Sequence, residues 1–172
     1  IGAAGAYFAL PHVQDRIARF LSPEGSDTYQ TDKALEAMAN GGIFGRGPGG
    51  GVVKTQLPDA HTDFIFAVLV EEFGFILSGV LIAILASLVF QAYRKALRLN
   101  DHFAQLAVAG LATLIGVQTI INLAVNLNMI PPKGMTLPFI SYGGSSMLAL
   151  SFSVGLILAF TRRRPGAYGY GA

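Results

Sequence analysis

Residues 73–93 read FGFILSGVLIAILASLVFQAY, a stretch without a single charged side chain. An α-helix needs about 20 apolar residues to cross the hydrocarbon core of a bilayer, and this stretch has that length. Two later stretches, 103–132 and 134–161, are also free of charge. We therefore predict three membrane-spanning helices, over 73–93, 103–127 and 141–160, in an all-α, polytopic membrane helix bundle.

The composition of the whole chain is typical of a membrane protein rather than of a soluble domain. Only 13% of its 172 residues are charged, and the mean hydropathy is +0.53. The chain contains no cysteine, which excludes thiol chemistry on its own residues. The formal net charge of +2 says little by itself, so the position of the basic residues is more informative.

Two basic clusters predict the orientation of the spans. RKALR at 94–98 follows the first span, and RRR at 162–164 follows the last. Basic residues are enriched in cytoplasmic loops, which makes 94–102 a cytoplasmic loop and 161–172 a cytoplasmic tail.

The segments between these clusters are then predicted to lie on the opposite, extracytoplasmic face. They are a large loop over 12–72 and a short loop over 128–140. Residues 1–11 are apolar but too short to span a bilayer, so we expect them to be the outer end of a truncated transmembrane helix. The chain is accordingly predicted to be the C-terminal part of a larger protein.

The large loop is predicted to contain two short helices and a glycine-rich segment. Apolar residues of 12–21 recur at helical spacing, which indicates a helix lying at the membrane surface or on neighbouring loops. Thr31 or Asp32 would cap a second helix, and Gly41 would end it. Glycine occupies seven of the eleven positions in 41–51. Their amides would suit diphosphate oxygens, and a flexible outer loop would explain the same composition.

The segment LPDAHTDFIF, residues 57–66, places three ionisable side chains at the entrance of the first long apolar run. Placing ionisable side chains beside a membrane span costs free energy, because they must be kept out of the hydrocarbon. Their presence there makes them candidate functional residues. Asp63 has two interpretations that the residues leave open: a cap for the following helix, or a general base that takes a proton from a hydroxyl group. Asp59 and His61 would tune that base or lie in a solvated loop.

Two glutamates follow Asp63 by about two helical turns. Adjacent residues of a helix point about 100° apart, so at most one of Glu71 and Glu72 faces Asp63. A buried glutamate would need a cation such as Lys133 or an arginine of the large loop. Together with Asp59, these carboxylates would suit a divalent cation such as Mg²⁺, but their spacing matches no established metal-binding loop. No metal ligand is therefore assigned.

Polar residues also mark the second and third spans. Gln118 and Asn122 lie one turn apart in the second span, where they are predicted to bind neighbouring helices or to line a polar cavity. Lys133 is the only charged residue between these two spans. It would bind an anionic ligand or extend to the lipid headgroups. The small residues of 141–146 would allow close helix contact at the start of the third span.

Four stretches resemble, in order, the motifs of the SEDS family (shape, elongation, division and sporulation) of membrane peptidoglycan glycosyltransferases. The resemblance extends from Arg16 to Phe160. The stretch PKGMTL is more similar to the cell-division branch than to the elongation branch, in which the lysine is usually absent. The four stretches are GRG at 45–47, LPDAHTDFIFA at 57–67, EEFG at 71–74 and KGMTLPFISYGGSS at 133–146.

The resemblance implies polymerisation of lipid II, a disaccharide-pentapeptide on undecaprenyl diphosphate, into glycan strands, with inversion at the anomeric carbon. Asp63 matches the essential aspartate of the family and would take the proton from the 4-hydroxyl group of the acceptor sugar. By the same resemblance, the candidate substrate-binding residues are Gly45, Arg46, Gly47, His61, Glu72, Lys133 and Ser145.

The resemblance also implies partners and a location. The partners would be the growing glycan strand, a class B penicillin-binding protein that acts as transpeptidase, other membrane proteins of the division machinery, and membrane lipid, with no nucleic acid. The protein would lie in the bacterial cytoplasmic membrane at the division septum, with its active face in the periplasm. The chain alone is expected to be inactive.

Two other functions are compatible with parts of the sequence. A transporter of lipid-linked precursors would use the same polar groups as a path for its substrate. The ionisable residues gather at the outer face rather than through the spans, which favours the enzyme. A purely structural membrane protein would leave the residues around Asp63 unexplained. A polymerase of the elongation machinery remains an alternative within the same family.

Overall fold

The computed structural model describes residue 14 and residues 26–53, 60–131 and 134–162. Regular secondary structure within these residues is helical, with no strand, so the predicted all-α fold class is confirmed. The helices are α1 (Ser26–Gly41), α2 (Ile65–Ala96), α3 (His102–Asn126) and α4 (Gly144–Thr161).

Three of these helices, α2, α3 and α4, are long and apolar enough to cross a membrane. Large apolar side chains on their outer faces are exposed, including Leu106, Ile120 and Leu148. Such faces would be costly in water and suit the hydrocarbon of a bilayer. The prediction of three apolar spans is therefore confirmed, although α2 begins at Ile65, well before the predicted start at 73.

Several predictions fall on parts of the chain that are not described. The predicted helix over 12–21 lies outside the described residues except for Gln14, which is helical. The truncated span over 1–11, Asp59 and Lys133 also lie outside them.

Helix α1 is longer than the sequence predicted. Thr31 and Asp32 were expected to cap it, but the helix already begins at Ser26 and Thr31 is buried within it. No glycine or proline occurs between Ser26 and Ala39, so nothing in the local sequence stops the helix before that point. The predicted end at Gly41 is confirmed.

Helix α2 is broken at Gly74. This residue has φ 79° and ψ 171°, far from helical values, so α2 consists of two helical segments joined at a kink. A broken helix leaves carbonyl groups before the break and amide groups after it without partners in the helix. Within a membrane protein, those groups must find partners from another part of the chain.

The glycine-rich segment supplies those partners. The amides of Phe75 and Ile76 donate to the carbonyl oxygens of Gly42 and Ile43, at 3.1 and 3.4 Å. Before the break, the carbonyl oxygens of α2 accept hydrogen bonds from this segment as well. The main chain of the segment thus lies directly against the main chain of α2, an approach that requires residues without side chains.

The apolar core consists of two clusters. The outer cluster joins α1 and the segment before α2 to α2, the end of α3 and the loop before α4, and it includes Phe64, which is 1% exposed. Burying a side chain of this size contributes about 2–3 kcal/mol. The inner cluster joins the second half of α2 to α3 and α4. Its buried residues are Ala92, Ala96, Val108, Ala112, Ile115, Leu150 and Ile157.

Candidate active site at the start of α2

The turn before α2 is fixed through its main-chain carbonyl groups. The amide of Tyr142 donates to the carbonyl oxygen of His61 at 2.9 Å. The hydroxyl group of Ser141 donates to the carbonyl oxygen of Thr62 at 2.6 Å and accepts from the amide of Leu137 at 2.7 Å. The loop before α4 therefore holds the turn that leads into α2.

The carbonyl oxygen of Asp63 is held from α3. Asn122 Nδ2 and Asn126 Nδ2 each donate to it at 2.9 Å. Asn126 Oδ1 accepts from the amide of Ala67, in the first turn of α2, at 3.1 Å. Both asparagines are fully buried, where a carboxamide without partners would be costly. The main chain on both sides of the helix start is therefore tied to α3.

The start of α2 bears on one of the two interpretations of Asp63, that of a helix cap. The N-cap residue of α2 is Phe64, and its side chain makes no capping hydrogen bond. An acceptor for the Ala67 amide comes instead from Asn126, on a different helix. The N-cap position of α2 is thus one residue later than the sequence predicted, and the interpretation of Asp63 as a general base stays a prediction.

The carboxylate of Asp63 lies beside Gly134. A Cβ atom placed on Gly134 would be 3.9 Å from Asp63 Oδ2. Gly134 has φ 65°, in the left-handed region that favours glycine. Lys133 precedes it in the sequence and lies outside the described residues, so its role in binding an anion stays a prediction.

A row of amide side chains on α3 holds the loop that contains Gly134. Gln118 Nε2 donates to the carbonyl oxygen and the hydroxyl group of Thr136, at 3.0 and 3.2 Å. Asn122 Nδ2 donates to the carbonyl oxygen of Met135 at 2.7 Å. The prediction that Gln118 and Asn122 bind neighbouring helices is wrong. They bind irregular main chain instead, whose carbonyl groups lie outside helices and strands and need partners from elsewhere in the fold.

The sequence did not identify two of the residues that build this arrangement. Asn126 follows Asn122 by one helical turn, so the spacing alone places it on the same face of α3. Ser141 was noted only as a small residue. Nothing local reveals its bonds to Thr62 and Leu137, since the fold brings those groups together.

Glu71 and Glu72 face the glycine-rich segment. Glu71 is fully buried, and its Oε1 accepts from the amides of Val52 and Val53 at 2.9 and 3.0 Å. Glu72 Oε1 accepts from the amide of Gly49 at 3.3 Å. Amide hydrogen bonds stabilise a buried carboxylate, so these groups help to hold the segment on α2.

Gly45, Arg46 and Gly47 lie against the same part of α2. The amides of Arg46 and Gly47 donate to the carbonyl oxygens of Glu71 and Glu72, at 3.0 and 2.9 Å. A Cβ atom on Gly45 would lie 2.3 Å from the Glu72 carbonyl oxygen. Two of the amides predicted to suit a diphosphate, those of Arg46 and Gly47, thus donate to α2, whereas the Gly45 amide donates to the carbonyl oxygen of Gly41 at 2.8 Å.

The side chain of Arg46 bonds the end of α1. Arg46 Nε donates to the carbonyl oxygen of Asn40, and Arg46 Nη2 donates to Asn40 Oδ1, both at 3.1 Å. A guanidinium group has five N–H donors, so further donors remain for another acceptor. The side chain is exposed.

No metal ligand can be assigned within the described part of the chain. No three His, Asp or Glu side chains there lie close enough together to hold a metal ion. Asp59, one of the carboxylates considered for Mg²⁺, lies outside the described residues. Glu71 and Glu72 accept the main-chain hydrogen bonds given above.

An open cavity of about 600 Å³ lies between the turn before α2 and the start of α4. His61 is exposed and lines this cavity, and its role in binding substrate stays a prediction. Ser145 lies in the first turn of α4 and is also exposed. The residues that line the cavity are His61, Ile65, Phe139, Ile140, Ser141, Tyr142, Gly143, Gly144 and Met147.

The sequence has clear relatives among curated proteins. It is 56% identical over 168 residues to the probable peptidoglycan glycosyltransferase FtsW of Caulobacter vibrioides, covering 98% of this chain and 43% of that protein. It is 41% identical over 168 residues to the protein of the same name from Geobacter sulfurreducens, covering 94% of this chain and 45% of that protein. The chain therefore spans less than half the length of these relatives.

A solved structure and a family model agree with these relatives. The structure comes from work on how a peptidoglycan synthase complex coordinates polymerization and crosslinking. It matches with a TM-score of 0.71 and 28% identity, over 92% of this chain and 44% of that one. The model of the FtsW, RodA and SpoVE family, described as cell cycle protein, matches residues 2–165. The chain belongs to this family, the SEDS family.

Proposed function

We propose that the protein containing this chain is a peptidoglycan glycosyltransferase of the FtsW type, which polymerises lipid II into glycan strands during septal cell-wall synthesis. Two curated relatives carry the name of that activity. One observation carries the proposal: the main chain of Asp63 is fixed by two buried asparagines, and its carboxylate lies beside Gly134. A half-buried carboxylate on a fixed main chain, between the cavity-lining residues His61 and Ile65, suits a general base.

In the proposed reaction, Asp63 acts as the general base. Its carboxylate takes the proton of the 4-hydroxyl group of the acceptor sugar, and that oxygen forms a bond to the anomeric carbon of the growing strand. The bond from this carbon to the diphosphate oxygen breaks, and undecaprenyl diphosphate leaves with the electron pair. Attack from the side opposite the leaving group inverts the anomeric carbon, for which a single base is sufficient.

The leaving diphosphate requires stabilisation by positive charge. Lys133 is our proposed partner for it, since the chain brings Gly134 to the Asp63 carboxylate. Arg46 is a second candidate through the N–H donors that Asn40 does not use. The remaining candidates, His61, Glu72, Gly45, Gly47 and Ser145, are proposed to contact the sugar or peptide parts of the substrate.

The partners and the location are part of the same proposal. The similar solved structure belongs to a peptidoglycan synthase complex, which supports a class B penicillin-binding protein as the transpeptidase partner. The three apolar helices support a place in the cytoplasmic membrane. We propose that the segment around Asp63 faces the periplasm at the division septum.

The proposal is tested with the full-length protein and its penicillin-binding partner in detergent, supplied with purified lipid II. Asp63→Asn is compared with wild type over a pH series. Asp101→Asn is the matched control, because it changes another aspartate whose role is to cap α3 through the Phe103 amide. Asparagine is as good a cap as aspartate, so this control should polymerise normally.

We expect wild type and the control to form polymer, with rates that fall at low pH as a carboxylate becomes protonated. Asp63→Asn should lose about 100-fold or more in rate, the usual contribution of a general base. Equal polymer from Asp63→Asn and wild type would contradict the role of Asp63. No polymer from wild type, together with transfer of lipid II across liposomes that contain the same protein, would instead favour the transporter.

A further inference from the structure

Asn122 and Asn126 of α3 bind the main chain around Asp63, and the packing of α3 against its neighbours does not by itself require these bonds. Asn122 and Asn126 are both fully buried in a helix that is apolar enough to cross a membrane. A carboxamide in such a place is costly unless its donors and its acceptor are bound. Apolar side chains of similar size would fill the same space without that requirement, so the amide groups need a further explanation.

The donors of the pair converge on one atom. Both Nδ2 atoms lie 2.9 Å from the carbonyl oxygen of Asp63. A carbonyl oxygen has two lone pairs, and two donors therefore occupy both. Asn126 Oδ1 also accepts from the amide of Ala67. The side chain of Asn126 thus fixes both the peptide group that follows Asp63 and the first turn of α2.

Asn122 connects this peptide group to the loop that contains Gly134. An amide NH₂ group has two hydrogen atoms. One of them is donated to Asp63, and the other to the carbonyl oxygen of Met135 at 2.7 Å. The planar amide group of Asn122 therefore sets the distance between the main chain of Asp63 and that of Met135. Met135 follows Gly134, and the Asp63 carboxylate lies beside Gly134.

From this geometry we infer that Asn122 and Asn126 are positioning residues for Asp63, which place its carboxylate against the 134–135 segment without contacting the substrate. The inference rests on the proposed function, in which Asp63 is the base. An error of about 1 Å in the place of a catalytic group can lower the rate by about 100-fold. The two asparagines should accordingly affect turnover more than substrate affinity.

The test compares three variants that each replace an amide by a carboxyl group of the same shape: Asn122→Asp, Asn126→Asp and Gln118→Glu. The first two lose the donors to Asp63. Gln118 is the matched control, because it lies on the same face of α3 and bonds only Thr136 of the same loop. The full-length protein with its penicillin-binding partner is assayed on purified lipid II for kcat, KM and thermal midpoint.

We expect Asn122→Asp and Asn126→Asp to lower kcat by about 10-fold to 100-fold with KM within about two-fold of wild type. Gln118→Glu should keep kcat within about three-fold, although it alters the same loop. If Asn126→Asp does not accumulate in the membrane, Asn126→Ser is assayed instead. Its single hydroxyl donor should give an intermediate loss of kcat.

The possible failures can be told apart. Wild-type kcat in both asparagine variants, or in Asn126→Ser, would overturn the positioning role while a defective Asp63→Asn keeps the proposed function. Equal losses of kcat in all three amide variants would also overturn it, because they would point to a general effect on the loop. Wild-type activity of Asp63→Asn would overturn the proposed function itself, whatever the asparagine variants do.

Discussion

Ser141 shows how much one small side chain contributes to this site. Its hydroxyl group donates to the carbonyl oxygen of Thr62 and accepts from the amide of Leu137. It is 4% exposed, so both partners would be left in a dry environment if the hydroxyl group were removed. A buried polar group without a partner costs about 1–3 kcal/mol.

Ser141→Ala is therefore expected to lower the free energy of unfolding by about 1–3 kcal/mol. Thermal unfolding of the purified protein in detergent measures this loss. Ser153→Ala is the control, because Ser153 Oγ donates only to the carbonyl oxygen of Ala149 within α4, and that oxygen also serves the helix. Equal thermal midpoints for the two variants would show that the hydrogen bonds of Ser141 stabilise the protein no more than that of Ser153.

Ser78 differs from Ser141, because the loss of its hydroxyl group is not expected to destabilise the protein. A serine within a helix commonly donates to the carbonyl oxygen four residues before it, as Ser153 does. For Ser78 that residue is Gly74, whose carbonyl group is turned away from the helix by ψ 171°. Its hydroxyl group is buried, with no hydrogen-bond partner in the described part of the chain.

Ser78→Ala is thus expected to leave stability unchanged or to raise it by up to about 1 kcal/mol. The same thermal unfolding experiment measures the difference. A clear fall in the midpoint would mean that the hydroxyl group has a partner in the complete protein.

At the scale of elements, the break in α2 depends on the close approach of the main chains at Gly74 and Gly45. A Cβ atom on Gly74 would lie 2.3 Å from the carbonyl oxygen of Ile43 and 2.5 Å from the amide nitrogen of Gly45. Gly74 also has a positive φ, which an alanine adopts at a cost of about 1–2 kcal/mol. Substitution would therefore combine backbone strain with a clash against main-chain atoms that cannot easily move.

Gly74→Ala is expected to destabilise the protein by more than about 2 kcal/mol, through this strain and clash. Gly79→Ala is the control, because it lies in the same helix with nothing within 4 Å of its Cβ position. The control should be neutral or more stable by up to about 1 kcal/mol. Thermal midpoints in detergent compare the two variants, and equal values would show that α2 tolerates a continuous helix.

The elements differ in how far the sequence predicted them. The three apolar helices follow from composition within one stretch of chain, so they were predicted correctly. The break at Gly74 was not, because 73–93 reads as one apolar run and an isolated glycine there is compatible with a helix. Its conformation depends on Gly42 and Ile43, which are distant in sequence.

The surroundings of the candidate site could be predicted only in part, for the same physical reason. Asp63 stood out through its position before an apolar run. Its hydrogen-bond donors, Asn122 and Asn126, come from α3, and no local pattern connects them to it. The two main-chain amides that bind the carboxylate of Glu71 were not predicted either, because they come from a segment about 18 residues earlier in the chain.

For the whole molecule, the orientation in the membrane is the main untested prediction. The described residues offer a direct test, since the chain contains no cysteine. Val52 is 58% exposed beside the glycine-rich segment, and Asn100 is exposed between α2 and α3. These two positions lie at opposite ends of α2.

Val52→Cys and Asn100→Cys are introduced singly into a full-length protein from which any other cysteines have been removed. A membrane-impermeant maleimide applied to spheroplasts should label the cysteine at 52 at once, and the cysteine at 100 only after permeabilisation. This result follows from the cytoplasmic placement of the basic cluster after α2. The reverse pattern would contradict the orientation and, with it, a periplasmic Asp63.

The three carbonyl groups of 61–63 take their donors from residues that follow much later in the chain, between Asn122 and Tyr142. A ribosome adds about 5–20 residues per second, so this turn emerges on the order of ten seconds before its last partner. Until the loop before α4 has been made, a nascent chain holds Asp63 from α3 alone, and the carbonyl groups of His61 and Thr62 wait for their donors. A nonsense mutation directly after α3 is therefore expected to abolish the proposed activity, although every Asp and Glu of this sequence precedes that point.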